Sequence, residues 1–423
     1  MNKFDFLLDE EILDTPRNAE EENLSPLNFQ NVLPTNARSV TPDTPLGELN
    51  LNWSEKDLPE KERTKHVHRL HPYLGKFIPQ LVEVFLRKYF RQGETVLDPF
   101  CGSSTTLVQA NELGINSVGY DISAFNVLLG EVKTGDYNLQ KLRLEINDVL
   151  EKTAKSVSIN QYGQLPLWEL EGNQQCSTDD EYLLKWFAPD ALNELLTYRS
   201  IVQEEHYLYP NVLKIILSRS ARSARLTTHY DLDFPKNPTT EPYYCYKHSR
   251  VCKPTTNALQ FLRRYSIDTI NRIEAFSLVK TNASVAIHHA DSRKVHFPPI
   301  DGVITSPPYV GLIDYHAQHE YAYHLLGLDD NRDMEIGPAV NGSGQQAKND
   351  YQSDIQSVFS HCLDAMPGGG RLIIVAHDKS NLYDQIGKRL GIIEEAVIER
   401  KVNRRTGRRF SEFYESIFIW KKP

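Results

Sequence analysis

Glu94-Thr-Val-Leu-Asp-Pro-Phe100, Cys101-Gly-Ser-Ser-Thr-Thr106, Leu107 to Leu113 and Asn116-Ser-Val-Gly-Tyr-Asp121-Ile122 carry the densest run of structural signals in the chain. A β-rich apolar segment ends in an acid and a proline, and a small polar turn follows. A helix-compatible stretch then closes at Gly114, and a second β-rich segment ends in another acid. Strand, tight turn, helix, strand is the order of two parallel strands joined by a crossover. Asp121 stands 19 positions after Gly102. At that spacing a second-strand acid takes the ribose hydroxyls of a nucleoside while the turn and helix N-terminus approach the ligand. The competing reading is a structural βαβ unit with Ser103 as a helix cap and Asp121 exposed. No Gly-Lys-Thr follows the turn, which argues against a nucleoside triphosphate loop.

Downstream, the same α/β texture returns at Val285 to Arg293, a strand ending in Asp291-Ser292-Arg293, and at Ile300 to Tyr309. In the latter an apolar strand stops at Ser306-Pro307-Pro308-Tyr309. Two prolines remove two backbone donors and fix two φ angles, so acceptors outnumber donors where the strand meets a cleft. That suits a site that accepts hydrogen bonds from an amino group; a strand-to-loop turn with a surface tyrosine is the plain alternative. A helix is expected over 318–326, a mobile loop over 328–350, an amphipathic helix over 354–366 stopped by Pro367-Gly-Gly-Gly370, and a buried strand over 372–376. Segments 396–402 and 416–421 flank Arg404, Arg405, Arg408 and Arg409 and read as a long hairpin with a basic tip, a nucleic-acid contact or a solvated loop.

Upstream, helical spacing from Ile78 to Tyr89 follows the aromatic and basic run His66 to Phe77. Residues 1–60 hold 13 acids against 4 basic residues, so the formal charge of -9 resides in this segment and the remainder is neutral. It reads as an acidic arm, partly disordered or draped over the body. A neutral body can carry a basic face, so the acidic total does not exclude DNA. Between 131 and 283 the text is mostly helical, with Arg219, Arg222 and Arg225 placed on the outer face of a helix near 211–222. Tyr246, Lys247, Arg250 and Lys253 follow in an aromatic-basic passage that fits either phosphate and base contact or a solvated loop.

A chain of 423 residues, 40% of them hydrophobic, can hold one large domain with an insertion, or two domains. No stretch has the length of a membrane span and the N-terminus is too acidic for a secretory signal, so a cytoplasmic protein without membrane contact is expected. Five scattered cysteines argue against disulfides, and Cys245 and Cys252, with six residues between them, do not match zinc spacings; no metal is expected.

Taken together, these motifs resemble the S-adenosylmethionine-dependent amino-methyltransferases of DNA, the N4-cytosine and N6-adenine enzymes of restriction-modification systems. DPFCGSSTT (98–106) is similar to the family's cofactor loop, GYDIS (119–123) to its ribose-binding acid and HPYLGKFIP (71–79) to the segment on the methionine end. ADSR (290–293) resembles the adenine-contacting strand end and TSPPY (305–309) the catalytic motif. The resemblance covers roughly 65–130 and 284–421. It implies an α/β fold: a Rossmann-like methyltransferase sheet with helices on both faces and a C-terminal β-hairpin. The catalytic domain would span 61–130 and 284–423, and the mostly helical insertion at 131–283 would recognise the target. S-adenosylmethionine would contact His71, Lys76, Asp98, Phe100, Gly102, Ser103, Thr105, Asp121, Ile122, Asp291 and Ser292, and the catalytic group would be Ser306, Pro307, Pro308 and Tyr309.

Within the family, Ser before Pro-Pro-Tyr goes with N4-cytosine and Asp with N6-adenine, so Ser306 implies cytosine in a short duplex DNA target. The same resemblance implies a monomer in a bacterial cytoplasm whose functional partner is a cognate restriction endonuclease. An N6-adenine enzyme, an RNA amino-methyltransferase and a catalytically silent DNA-binding protein are the rival readings. No Pro-Cys nucleophile is present, and Cys101 lies in the cofactor turn. One departure stands out: the family's loop reads Gly-Ser-Gly, whereas this chain has Gly102-Ser103-Ser104, which bears on cofactor affinity.

Overall fold

Alternation along the central strands explains the architecture. Val96, Ile304, Ile373, Val375, Ile417 and Ile419 point into one apolar cluster, and Leu97, Val303, Leu372, Ile374, Phe418 and Trp420 into another. Strands buried on both faces must be covered by helices on both faces. The computed structural model describes residues 32–73, 75–162, 176–227, 237–245, 249–402 and 413–423.

Among these residues the strands are β1 (Thr95–Asp98), β2 (Asn116–Asp121), β3 (Tyr243–Cys245), β4 (Arg250–Cys252), β5 (Val285–His289), β6 (Gly302–Thr305), β7 (Arg371–Ala376), β8 (Ile393–Val402) and β9 (Phe413–Lys421). Seven of them form a sheet in the order β5-β2-β1-β6-β7-β9-β8; β3 and β4 pair separately. From β5 to β7 all pairings are parallel, while β9 runs antiparallel to both β7 and β8. The chain moves outward from β1 through β2 to β5, then returns to β6 on the other side of β1. The crevice beyond the carboxyl ends of β1 and β6 is therefore the topological switch point, where open α/β sheets bind ligands.

The helices are α1 (Glu60–Arg63), α2 (Pro79–Tyr89), α3 (Thr105–Glu112), α4 (Ala124–Thr134), α5 (Leu139–Tyr162), α6 (Glu181–Trp186), α7 (Pro189–Glu204), α8 (Pro210–Ala224), α9 (Leu259–Ser277), α10 (Glu320–Leu326), α11 (Gln345–Ala365) and α12 (Leu382–Leu390). Helix α2 covers one sheet face, and α11 and α12 the other. Helices α5 to α9 share a single core with Val67, Leu70, Val108 and Phe125 of the sheet region and Tyr321 to Leu325 of α10. Segment 131–283 thus shares its core with the sheet region.

The described part of the acidic arm, from residue 32 on, is packed: Leu49 and Leu51 are fully buried against α2 and the β8–β9 hairpin. One expectation, the mobile 328–350 segment, changes: it forms the short turns Arg332–Met334 and Ala339–Asn341 and then enters α11 nine residues early. Its anchor is Glu335, whose carboxylate accepts the Tyr315 and His316 backbone N–H groups at 3.2 and 2.7 Å. Arg293, which donates to the Met334 carbonyl at 2.9 Å, holds it from the other side.

Candidate active site

Thr305, the last residue of β6, donates its hydroxyl to Asp98 Oδ1 at the end of β1 over 2.7 Å, and this bond closes the floor of the switch-point crevice. The Phe100 N–H also points to Asp98 Oδ1, at 3.2 Å. Burial pushes the Asp98 carboxyl up to about 6, against these hydrogen bonds and that of Thr106. Asp98 is a brace under the cleft and does not line it.

The cleft encloses about 820 Å³, solvent at its mouth included. Phe100, Gly102, Ser103, Thr105, Asp121, Ile122, Asp291, Ser292, Lys76, Ser306 and Pro308 line it, and so bring the cofactor motifs and part of the catalytic motif to one place. Gly102 turns the chain at φ +44, where an added Cβ would sit 2.9 Å from the Tyr73 hydroxyl; only glycine allows that approach. Its N–H donates to Asp121 Oδ2 at 2.8 Å, while Asp121 Oδ1 accepts from Ser123 N at 2.9 Å and Asn126 Nδ2 at 3.1 Å. A carboxylate has about four acceptor sites, so Asp121 keeps capacity for a ligand hydroxyl. Burial raises its pKa, and the three donors oppose that shift.

Asp291 is engaged differently. Arg293 grips both its oxygens at 2.9 Å, and although burial pushes the acid up, the guanidinium bonds hold its pKa below the usual value. Ser292 donates to the Pro99 carbonyl at 2.7 Å. Both residues line the cleft with their polar ends turned into the protein. Lys76 donates to the His68 carbonyl at 2.6 Å, and burial lowers its pKa to about 8.

Four predicted site residues are not cleft residues. Besides Asp98, these are His71, Pro307 and Tyr309. His71 is fully buried, donates Nδ1–H to the Pro72 carbonyl at 2.9 Å, accepts from Ser218 of α8 at 3.2 Å and packs on Phe125. It joins the insertion to the catalytic body. Sequence reading missed Tyr73, Asn126, Tyr315, His316 and Glu335, which also line the cleft. Asn126 was findable, since it lies one helical turn beyond Ser123, the N-cap of α4. Glu335 carried no local signal.

The N6/N4 methyltransferase family, described as DNA methylase, matches residues 16–130. The type II methyltransferase M.MjaII of Methanocaldococcus jannaschii is 38% identical over 85% of this chain and 81% of its own length. The chain belongs to this family of DNA methylases. The type II methyltransferase M.BsoBI of Geobacillus stearothermophilus is 23% identical over 66% of this chain and 56% of its own. TrmN of Thermus thermophilus, a solved structure, aligns with 83% of the chain and 50% of its own at 13% identity and a TM-score of 0.29.

The methylase uses S-adenosylmethionine, and the cleft fits that molecule in kind: apolar walls at Phe77, Phe100 and Ile122, a glycine turn for close backbone approach, and one carboxylate with spare acceptor capacity. Beside it, the segment Ser306–Tyr309 leads into a buried polar chain. Tyr309 donates to Glu415 Oε1 at 3.1 Å, and Arg400 meets Glu415 Oε2 at 3.4 Å. Burial and the Glu415 charge hold the phenol well above its ordinary pKa, so it remains a donor. Its ring lies 6.2 Å from His377 and 6.5 Å from Phe413.

The expected DNA contacts divide. Arg225 is 5% exposed and lies over the Tyr321 ring at 5.1 Å, and Arg219 is buried against Asp268 and Tyr265, so the outer-face placement of these two is corrected. Their guanidiniums cover the rings of Tyr265 in α9 and Tyr321 in α10, which binary patterning of α8 could not show. Arg222 is half-buried, and its charge acts on His71 and His319. Arg250 and Lys253 are exposed on and just after β4. Tyr246, Lys247, Arg404, Arg405 and Arg408 lie outside the described residues. No described helix is long and apolar enough to cross a membrane.

Proposed function

We propose that this methylase transfers a methyl group to the exocyclic N4 of a cytosine extruded from duplex DNA, at a short target, within a restriction-modification system. The observation that carries the reading is Ser306: it lines the cofactor cleft directly after β6, three residues before the phenol that Glu415 holds. The N4 lone pair is delocalised into the ring, so the amine is a poor nucleophile. Acceptors for its two hydrogens draw nitrogen toward tetrahedral geometry and localise the pair. Ser306 can accept only if its own proton is directed elsewhere. Tyr309 takes that proton, Glu415 takes the phenol's, and Arg400 balances Glu415.

The second acceptor assigned is the Pro307 carbonyl, next to the cleft residues Ser306 and Pro308, although Pro307 does not itself line the cleft. Bound S-adenosylmethionine supplies an electrophilic methyl on a cationic sulfur. The amine nitrogen bonds the methyl carbon as the sulfur–carbon bond breaks toward sulfur, and the extra amine proton leaves to solvent; no covalent enzyme nucleophile is needed. A stacked base cannot present its amine to the cleft, hence extrusion.

Duplex DNA methylated by the purified protein, digested to nucleosides and analysed by mass, should contain N4-methylcytosine. N6-methyladenine would overturn this assignment while leaving the family intact, and methylation of RNA alone would overturn the substrate.

A further inference from the structure

Outside the cleft, two histidines and a glutamate converge beneath it. His66 and His68 lie on the turn His66–Arg69, and Glu112 is the last residue of α3. His66 Nε2 stands 2.8 Å and His68 Nε2 3.9 Å from Glu112 Oε1, and one donor atom from each of the three lies within 4.8 Å of the others. Their side chains are 7, 1 and 12% exposed. His66 Nδ1 and both His68 nitrogens are buried with no hydrogen-bond partner, although folded proteins pair nearly all such atoms. His66 also holds φ +32, a left-handed conformation that a side chain enters only under constraint.

We propose that His66, His68 and Glu112 bind one zinc ion, with a water completing the tetrahedron, as a structural pin between the turn and α3. Two imidazoles and a carboxylate suit zinc, a borderline-soft ion without a geometric preference of its own. Zinc bonds of about 2.0 to 2.1 Å put neighbouring ligand atoms roughly 3.4 Å apart. The two Nε2 to Oε1 distances bracket that value, so small ring rotations complete the site. Lys65 donates to Glu112 Oε2 at 2.7 Å, which fixes the carboxylate and leaves Oε1 for the ion. Lys76 and Lys133 also stand near His68 and oppose a cation. Each is turned to a carbonyl, however, of His68 and Ser103 respectively, and burial disfavours charge on both.

The ion would fix more than the turn. The His68 carbonyl holds Lys76, a cleft residue, and Arg272 of α9 donates to the His66 carbonyl at 3.2 Å. Zinc at this point therefore ties the cofactor-side lysine and the insertion to α3. It is a different place from Cys245 and Cys252, where sequence reasoning looked for metal.

The test uses the full chain, stripped by dialysis against a chelator and titrated with zinc in competition with a chromophoric chelator. One zinc per chain is expected, with a Kd below about 1 µM, and free zinc at about 100-fold that Kd should raise Tm by about 3 °C or more. His66→Phe, which keeps the stack on Phe276, and Glu112→Gln should each weaken zinc at least about 10-fold. Cobalt should give the intense visible bands of a four-coordinate ion in wild type and lose them in both variants. Less than about 0.2 zinc per chain in wild type at saturating metal, or equal affinity in folded variants, would overturn the proposal. Wild-type stoichiometry and Tm decide the matter even where a variant fails to fold.

Discussion

The Tyr309 phenol donates to Glu415 Oε1 at 3.1 Å, so the residue that closes the Ser306–Tyr309 segment is held by β9, 106 positions away. Replacing Glu415 by Gln keeps the shape and removes the charge that orients the phenol. A hydrogen bond to a charged group contributes about 1.5 to 3 kcal/mol. We expect kcat to fall by roughly 10- to 100-fold with KM for DNA and S-adenosylmethionine little changed. Tyr309→Phe should fall similarly, and the double variant no further than the worse single one. Steady-state kinetics on the four proteins checks this, and additive losses would separate the two residues.

Ser104 sits at the N-terminus of α3 with φ +59, fully buried, and its Oγ has no nitrogen or oxygen partner. The left-handed conformation costs a non-glycine residue about 1 to 2 kcal/mol. The hydroxyl fills the space over Gly130, where a Cβ would collide with it. Ser104→Gly should raise Tm by a few degrees and tighten S-adenosylmethionine binding, read by calorimetry. Ser104→Ala keeps the strain and should gain less. Unchanged affinity in the glycine variant would show that the turn already adopts its binding geometry.

Asp98 gives a pH signature. Its folded-state pKa of about 6 exceeds the ordinary 3.8, so the folded state binds the proton more tightly and is favoured when Asp98 is protonated. That contribution is complete below about pH 4 and lost as pH rises toward 6, an effect on the order of 3 kcal/mol. Asp98→Asn keeps the acceptor for Thr305 and cannot ionise. The stability of wild type relative to this variant should therefore decline between pH 4 and 6.5 and then level off. Chemical denaturation across that range measures it, and a flat difference would refute the raised pKa.

Arg250 and Lys253 are exposed cations on and just after β4. Changing both to Ala should weaken cognate duplex binding by about 10- to 100-fold if they meet bases. Random duplex should then be much less affected. An equal loss on both, with a shallower dependence on salt, would reduce them to phosphate contacts.

The strand–turn–helix–strand unit that lines one side of the cleft was legible because it is local. Strand, glycine turn, helix and second acid fall within 30 residues, and hydrophobic periodicity reports such units directly. The halt of β6 at Ser306 was legible for the same reason. What escaped depends on distant partners. Glu335 orders a glycine-rich polar segment by reaching back to Tyr315 and His316. Arg225 is buried because Tyr321 and Trp186 supply ring faces from elsewhere in the chain. His71 sits in a motif that resembles a cofactor segment, yet Ser218 of the insertion takes its free nitrogen. Composition cannot reveal such pairings, since each residue keeps the same polarity whether exposed or matched.

Leu49 and Leu51 share a core with Ile398, Ile417 and Ile419, and Asn52 accepts the Lys401 backbone N–H at 2.6 Å. Some 350 residues of synthesis separate these partners. The early segment cannot reach its resting place until the last hairpin has left the ribosome, so completion of this sheet is a late event with an unpaid apolar debt until then. Arrested nascent chains lacking β9 should leave residues 32–58 open to protease.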